Sequence, residues 1–302
     1  MKKIKIAYIS AVLLFSTCSF VWAGLEHDLL ITASLNHESD INPDLNFPEF
    51  STEDSDARFS LDAEYTFTSR ATAKDSAGFV VGGLFNMYME EDQYNNNALD
   101  LAAFYTRQDM GPFTFNVNFR YTHYSVDGDA YVYMTTLTPT LFWEQSDVFI
   151  GVFSFRMCSL GYYDIDILDG MDFGFEYKQI WFIDDRSELA AGIFINDVSL
   201  DSDEMSYFGI RASVEYTMLL RREWEVHAVL YLGNKAFAED YWGESEARNE
   251  NYIEGMVSTN YSFGQFGSVF AGCTYFNNMS NVDDFDTDRM VMSAGYMYKL
   301  EF

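Results

Sequence analysis

Residues 288–302 read DRMVMSAGYMYKLEF. Met290, Met292, Ala294, Tyr296, Tyr298, Leu300 and Phe302 take alternate positions, with Arg289, Ser293, Gly295, Lys299 and Glu301 between them. Successive side chains of an extended chain point to opposite faces, so this period of two predicts a strand with one apolar, aromatic face and one polar face. The pattern recurs along the chain. In 57–68, Ala57, Phe59, Leu61, Ala63, Tyr65 and Phe67 alternate with Arg58, Ser60, Asp62, Glu64, Thr66 and Thr68. In 208–218, Phe208, Ile210, Ala212, Val214, Tyr216 and Met218 alternate with Arg211, Ser213, Glu215 and Thr217.

The chain holds 21 Tyr and 28 Phe but only 4 Pro. Aromatic-rich segments of about a dozen residues between polar turns predict an all-β chain. A soluble β-sandwich would bury one face of each strand in a single core. Here the apolar faces are more aromatic than one core needs, and the opposite faces carry many charges. That division suits a single antiparallel up-and-down transmembrane β-barrel, apolar outside and polar inside. After residue 20 no run of about eighteen apolar residues occurs, so no helix is expected to span a membrane.

The first residues read as a secretory signal. Lys2, Lys3 and Lys5 precede an apolar run over 6–20, and Val21-Trp22-Ala23 ends in a small residue. Cleavage near Ala23 would leave 24–302 as the barrel domain. Cys18 follows Phe15-Ser16-Thr17, a poor lipobox, so lipidation is not expected. Cys158 is read onto the polar face of one strand and Cys273 onto the apolar face of another, so no disulfide is expected between them.

The alternation gives about fourteen strands, with twelve to sixteen accommodated by soft boundaries. Long acidic connections are read at 37–56, 90–97, 197–204, 234–251 and 277–288, and short turns at 109–112, 144–147, 184–187 and 264–267. Long connections follow odd strands and short ones even strands, in strict alternation. This predicts that both termini lie on the short-turn, periplasmic side and that 288–302 pairs antiparallel with 28–36 to close the ring.

Ending in Tyr296, Tyr298, Leu300 and Phe302 on one face, the last strand resembles the closing strand of Gram-negative outer-membrane β-barrel proteins, porin-like in strand number. The resemblance implies a protein of the outer membrane that meets lipopolysaccharide and passes small solutes. It also implies that the outer-membrane assembly machinery reads those four residues as its signal. Leu35-Asn36-His37-Glu38-Ser39-Asp40-Ile41-Asn42 resembles the opening of the barrel domain of surface lipoprotein assembly modifiers, which implies an export role with a separate periplasmic partner. Tyr121-Thr122-His123-Tyr124-Ser125 resembles the His-x-Ser segment of outer-membrane phospholipases and lipid A deacylases. That implies acyl hydrolysis by Ser125 activated by His123. Those families continue with Asn-Gly or Asn-Ala-Gly, whereas this chain has Val126-Asp127-Gly128, and the phospholipases' Ser-Arg-Ser-Trp-Asn-Arg segment is absent. No catalytic residue is therefore assigned, and a polar strand end at a membrane interface accounts for the segment.

With 47 acidic residues against 18 Lys and Arg, a net charge of −29, the chain does not suit nucleic acid. Divalent cations held loosely at the acidic outer loops, or lipopolysaccharide bridged by them, fit this charge, and so does a solvated acidic surface. Asp283, Asp284, Asp286 and Asp288 lack the Gly and closing Glu of an EF-hand, and His27, His37 and His227 are too far apart in the pattern for a metal site. No cofactor or metal is expected. With the apolar faces outward, the lumen receives Arg58, Asp62, Glu64, Asp100, Arg120, Arg156, Asp172, Glu176, Lys178, Arg211, Glu215, Glu225, His227, Glu254, Arg289 and Lys299. These charges either set a transverse field in a water-filled pore or pair to hold a plugged lumen. About fourteen strands leave room for water, and the negative total favours cations. The sequence leaves the solute and the oligomeric state open.

Overall fold

The alternating segments become fourteen strands, each hydrogen-bonded to its sequence neighbours and closed into a ring. The computed structural model describes residues 25–39, 55–240, 246–264, 267–282 and 285–301. The strands are β1 Leu25–Glu38, β2 Asp56–Arg70, β3 Asp75–Tyr88, β4 Asn96–Arg107, β5 Phe113–Val126, β6 Asp129–Ser146 and β7 Phe149–Tyr162. They continue as β8 Gly170–Asp184, β9 Ser187–Leu200, β10 Tyr207–Arg221, β11 Trp224–Asp240, β12 Ala247–Ser262, β13 Ser268–Ser280 and β14 Thr287–Glu301. As expected, β14 lies antiparallel to β1, from Asp28 opposite Glu301 to Glu38 opposite Val291. Closure leaves no strand edge unpaired, which a barrel requires wherever water is absent.

Two expectations need correction. The 234–251 stretch is not a long loop, because β11 runs to Asp240 and β12 starts at Ala247. Its polar composition suggests a loop, but Phe237, Arg248 and Glu250 find partners inside the barrel, so the extended conformation continues. Likewise β9 continues to Leu200, through the start of the acidic segment read as a loop.

The strict alternation of long and short connections also breaks. Between β5 and β6 only residues 127 and 128 intervene, with Asp127 at φ 50° and Gly128 at φ 88°. Two left-handed residues make the tight turn whose twist matches that of paired strands. Elsewhere the connections after even strands are short, and two of them are joined by Lys74 and Asp109, 2.5 Å apart. A hydrogen bond from Lys74 and its positive charge hold the Asp109 carboxyl below the usual carboxylate range.

Pro139 lies in the middle of β6, where the β6–β7 ladder runs from Leu137 opposite Met157 to Thr140 opposite Ser154 with no rungs between. Proline has no amide hydrogen to give, which accounts for a gap at this point.

Candidate functional site

Directly opposed residues of neighbouring strands share a face, so the registers place every lumen candidate. Asn36, Arg58 and Tyr88 are aligned across β1, β2 and β3, and Gly82, Asp100 and Thr122 across β3, β4 and β5. Cys158, Asp172 and Val198 are aligned across β7, β8 and β9, and Arg211, Gly233 and Tyr252 across β10, β11 and β12. Followed round the ring, Arg58 through Lys299 of the candidate set fall on one face. That face is the concave one. Lys178 on β8 donates to Glu215 on β10 at 2.7 Å, passing over Gly192 of β9, and side chains two strands apart converge only inside a closed sheet.

Part of the set pairs up. Arg120 lies 3.9 Å from Asp100, which accepts from the Thr122 hydroxyl at 2.5 Å. Arg156 pairs with Asp172, which also accepts from Asn196 at 3.3 Å. Arg58 lies 2.7 Å from Glu38, a carboxylate that also accepts from the Tyr88 hydroxyl at 3.2 Å. Lys299 reaches Glu301 at 2.7 Å and Asp28 at 4.0 Å. Asp62 and Glu64 share β2 and the inward face with no cationic partner within ion-pair distance among the described residues.

The interior is not a uniform tube. From the β7–β8 connection Leu168, and from the β9–β10 connection Met205, fold onto the inner face. They meet Tyr124, Val132, Leu160, Tyr162, Val198 and Leu200 in a buried apolar cluster. From the β13–β14 connection Phe285 folds in similarly, and its carbonyl accepts from Asn278 at 2.9 Å. The Arg248 guanidinium lies 3.6 Å from the Phe237 ring centroid and 3.8 Å from that of Phe285. Arg248 is 3.2 Å from Glu250, and both side chains are fully buried. Lys235 stands 3.7 Å from the same carboxylate. The long-loop end is therefore narrowed from within by two packed groups.

A cavity of about 350 Å³ lies against this inner wall, reaching from β6 to β12. Arg156, Arg211 and Lys235 contribute charge to it, while Met134, Leu160 and Val198 contribute apolar surface. Glycines shape its aromatic side. A Cβ on Gly174 would stand 2.6 Å from the Phe194 ring, and one on Gly233 would stand 2.2 Å from that of Tyr252. Each ring lies across the backbone of the neighbouring strand because that strand presents no side chain there.

Among the described residues His123 and Ser125 do not bond to each other. The Ser125 hydroxyl donates to Asn97 Oδ1 at 2.9 Å, and His123 Nδ1 lies 3.4 Å from the Tyr163 hydroxyl. Among the described residues no histidine or carboxylate bonds to the serine hydroxyl. Cys158 is buried and inward and Cys273 is exposed, both as free thiols. Asp286 accepts from the Ser280 amide at 2.5 Å. Asp283, Asp284 and the expected terminal signal residue Phe302 lie outside the described residues, whereas Tyr296, Tyr298 and Leu300 occupy the outward face.

No protein-family model matches this chain, and no curated protein matches it by sequence. Solved structures do. An anion-selective porin from Comamonas acidovorans superposes with a TM-score of 0.53 at 7% identity, over 91% of this chain and 99% of that one. The chain has a porin-type barrel fold. A TodX deltaS2S3 mutant monoaromatic hydrocarbon channel superposes at 0.51 with 11% identity, over 95% of this chain and 92% of that one. The porin-type barrel found here carries inward charges that the sequence reading missed: Glu38, Lys235, Arg248 and Glu250. Parity held the signal, since Lys235 and Glu250 continue the inward sets of β11 and β12, but loop-like composition masked it.

Proposed function

We propose that the protein is a passive outer-membrane channel for small hydrophilic solutes, with a preference for cations imposed at its long-loop mouth. The observation that carries this reading is a closed ring with two opposite surfaces. Outside, Ile193 is 55% exposed, Val214 49%, Leu232 49% and Val257 58%. A continuous apolar band of this kind would drive aggregation in water and is solvated by lipid. Inside lie the charged side chains described above. The likeness in fold to a porin and to a hydrocarbon channel supports transport, and it supports an outer-membrane setting.

Charge supports the cation preference and the orientation. The inward candidates are nearly balanced in sign, so the bias comes from the mouth, where the described connections carry Glu90, Glu91, Asp92, Asp164, Asp166, Asp169, Asp201, Asp203 and Glu204. Fixed acids raise the local cation concentration within about a Debye length, roughly 8 Å at physiological salt. This acidic end would face outward, where divalent cations can bridge it to lipopolysaccharide. The opposite rim is of mixed sign, with Arg70, Lys74, Arg186 and Arg222 beside Asp109, Asp147, Asp185 and Glu223.

Planar-bilayer recording of the refolded protein tests the reading. Discrete ohmic steps are expected, with a reversal potential of cation-selective sign in a KCl gradient. Silent bilayers would remove the channel, and an anion-selective reversal potential would remove the role given to the acidic mouth.

A further inference from the structure

We propose that the cavity at Arg211 binds a small monocarboxylate with an apolar body, such as an aromatic or short-chain acid. The proposal goes beyond the channel reading by assigning a binding site on the inner wall, and it rests on that reading only for transport, not for binding.

Charge is the first argument. The guanidinium groups of Arg156 and Arg211 both lie against the Phe194 ring, at 4.8 and 5.1 Å from its centroid. Arg156 is matched by Asp172. Arg211 also lies 4.7 Å from the Tyr231 ring, and among the described residues no carboxylate comes within ion-pair distance of it. Glu215 is held by Lys178 at 2.7 Å, and neither Glu176, opposite Phe194, nor Glu254, opposite Tyr231, makes an ion pair with Arg211. Of the cations that line the cavity, Arg156 is paired with Asp172 and Lys235 with Glu250, so Arg211 is the group open to an incoming carboxylate.

Shape and surface make the second argument. The cavity, about 350 Å³, lies toward the small end of ligand pockets, which run from about 300 to 1,000 Å³. Its walls include Phe194, Tyr252 and Leu160. A planar guanidinium fork matches the two oxygens of a carboxylate, and the adjoining rings and aliphatic chain would desolvate an apolar body. Inorganic anions offer nothing to those walls, and neutral aromatics offer nothing to Arg211. The rings are set in place beforehand by Gly174 and Gly233, so little ordering is left to binding.

Benzoate is the probe, titrated calorimetrically into the refolded barrel in detergent, with heat-modifiable gel mobility confirming the fold of each sample. Saturable binding is expected, at least about tenfold tighter than benzyl alcohol or inorganic phosphate, and weakened about tenfold or more in Arg211→Gln. Arg211→Lys should fall between. Benzoate binding no tighter than benzyl alcohol, or no tighter than phosphate, would overturn the proposal, as would an Arg211→Gln barrel of native mobility that binds benzoate as the parent does. If Arg211→Gln fails to fold, the three-ligand comparison on the unaltered protein decides alone. Benzoate binding without bilayer conductance would remove the channel and leave the site. Conductance without benzoate binding would do the reverse.

Discussion

Replacing Arg248 by Met keeps most of its volume between Phe237 and Phe285 but removes its charge from beside Glu250. Both side chains are fully buried, and the charged groups are 3.2 Å apart. At an effective dielectric of about 20, unit charges at that separation attract by about 5 kcal/mol. Desolvation offsets much of this in forming the pair, but removing one partner exposes the penalty of the other, typically about 3–5 kcal/mol. Lys235, 3.7 Å from the same carboxylate, remains and recovers part. Arg248→Met should therefore cost about 2–4 kcal/mol, and adding Glu250→Gln should restore most of the loss, because a neutral amide no longer needs a counter-charge. Urea unfolding of the refolded barrel, followed by heat-modifiable mobility and tryptophan fluorescence, measures both variants. A loss under about 0.5 kcal/mol for Arg248→Met, or additive effects in the double variant, would refute the view that this buried pair holds the mouth together.

Asn36 and Ser293 are directly opposed across the closing seam, so Asn36→Cys with Ser293→Cys should form a disulfide that speeds migration of the boiled, unreduced chain. Asn36→Cys with Met292→Cys, on opposite faces, should not. If Phe302 is read during assembly, its deletion should lower the folded outer-membrane level far more than Phe59→Ala, and equal levels would make it an ordinary outward ring. Cation preference in bilayers should weaken when Asp164, Asp166 and Asp201 are together replaced by Asn, because the mouth then carries less fixed negative charge. A preference unchanged in that variant would place its origin elsewhere.

The strands were legible because alternation of Phe and Tyr with charged or hydroxyl side chains repeats over whole wall segments. Parity alone put Arg58, Asp172 and Lys299 on one surface. The closing pair could be foreseen as well, since an even ring of antiparallel neighbours must bring its first and last strands together. The packing inside the mouth was not legible. Met205 is a single apolar residue in a polar connection, and Leu168 falls outside the alternation of Ile165 and Ile167 with Asp164 and Asp166, so nothing local marks either as an anchor. The 234–251 stretch is rich in Asn, Glu and Asp, and composition outweighed the parity of Lys235 and Glu250. Contacts that skip a strand, such as Lys178 with Glu215, depend on wall curvature and on Gly192 standing between them. Neither is written in the pattern of a single strand.

A ring of strands has no end, yet it need not be equally strong all round. The rungs missing beside Pro139 leave the β6–β7 seam with fewer backbone bonds in mid-wall than its neighbours. When the cylinder is pulled apart or heated, a ladder interrupted in mid-wall can part as two short runs instead of one long one, so this seam should open early. The chain's own junction between β1 and β14 has no such gap from Asp28 to Glu38. A line of weakness in the wall is thus set by one imino acid in its middle and not by where the polypeptide starts and stops.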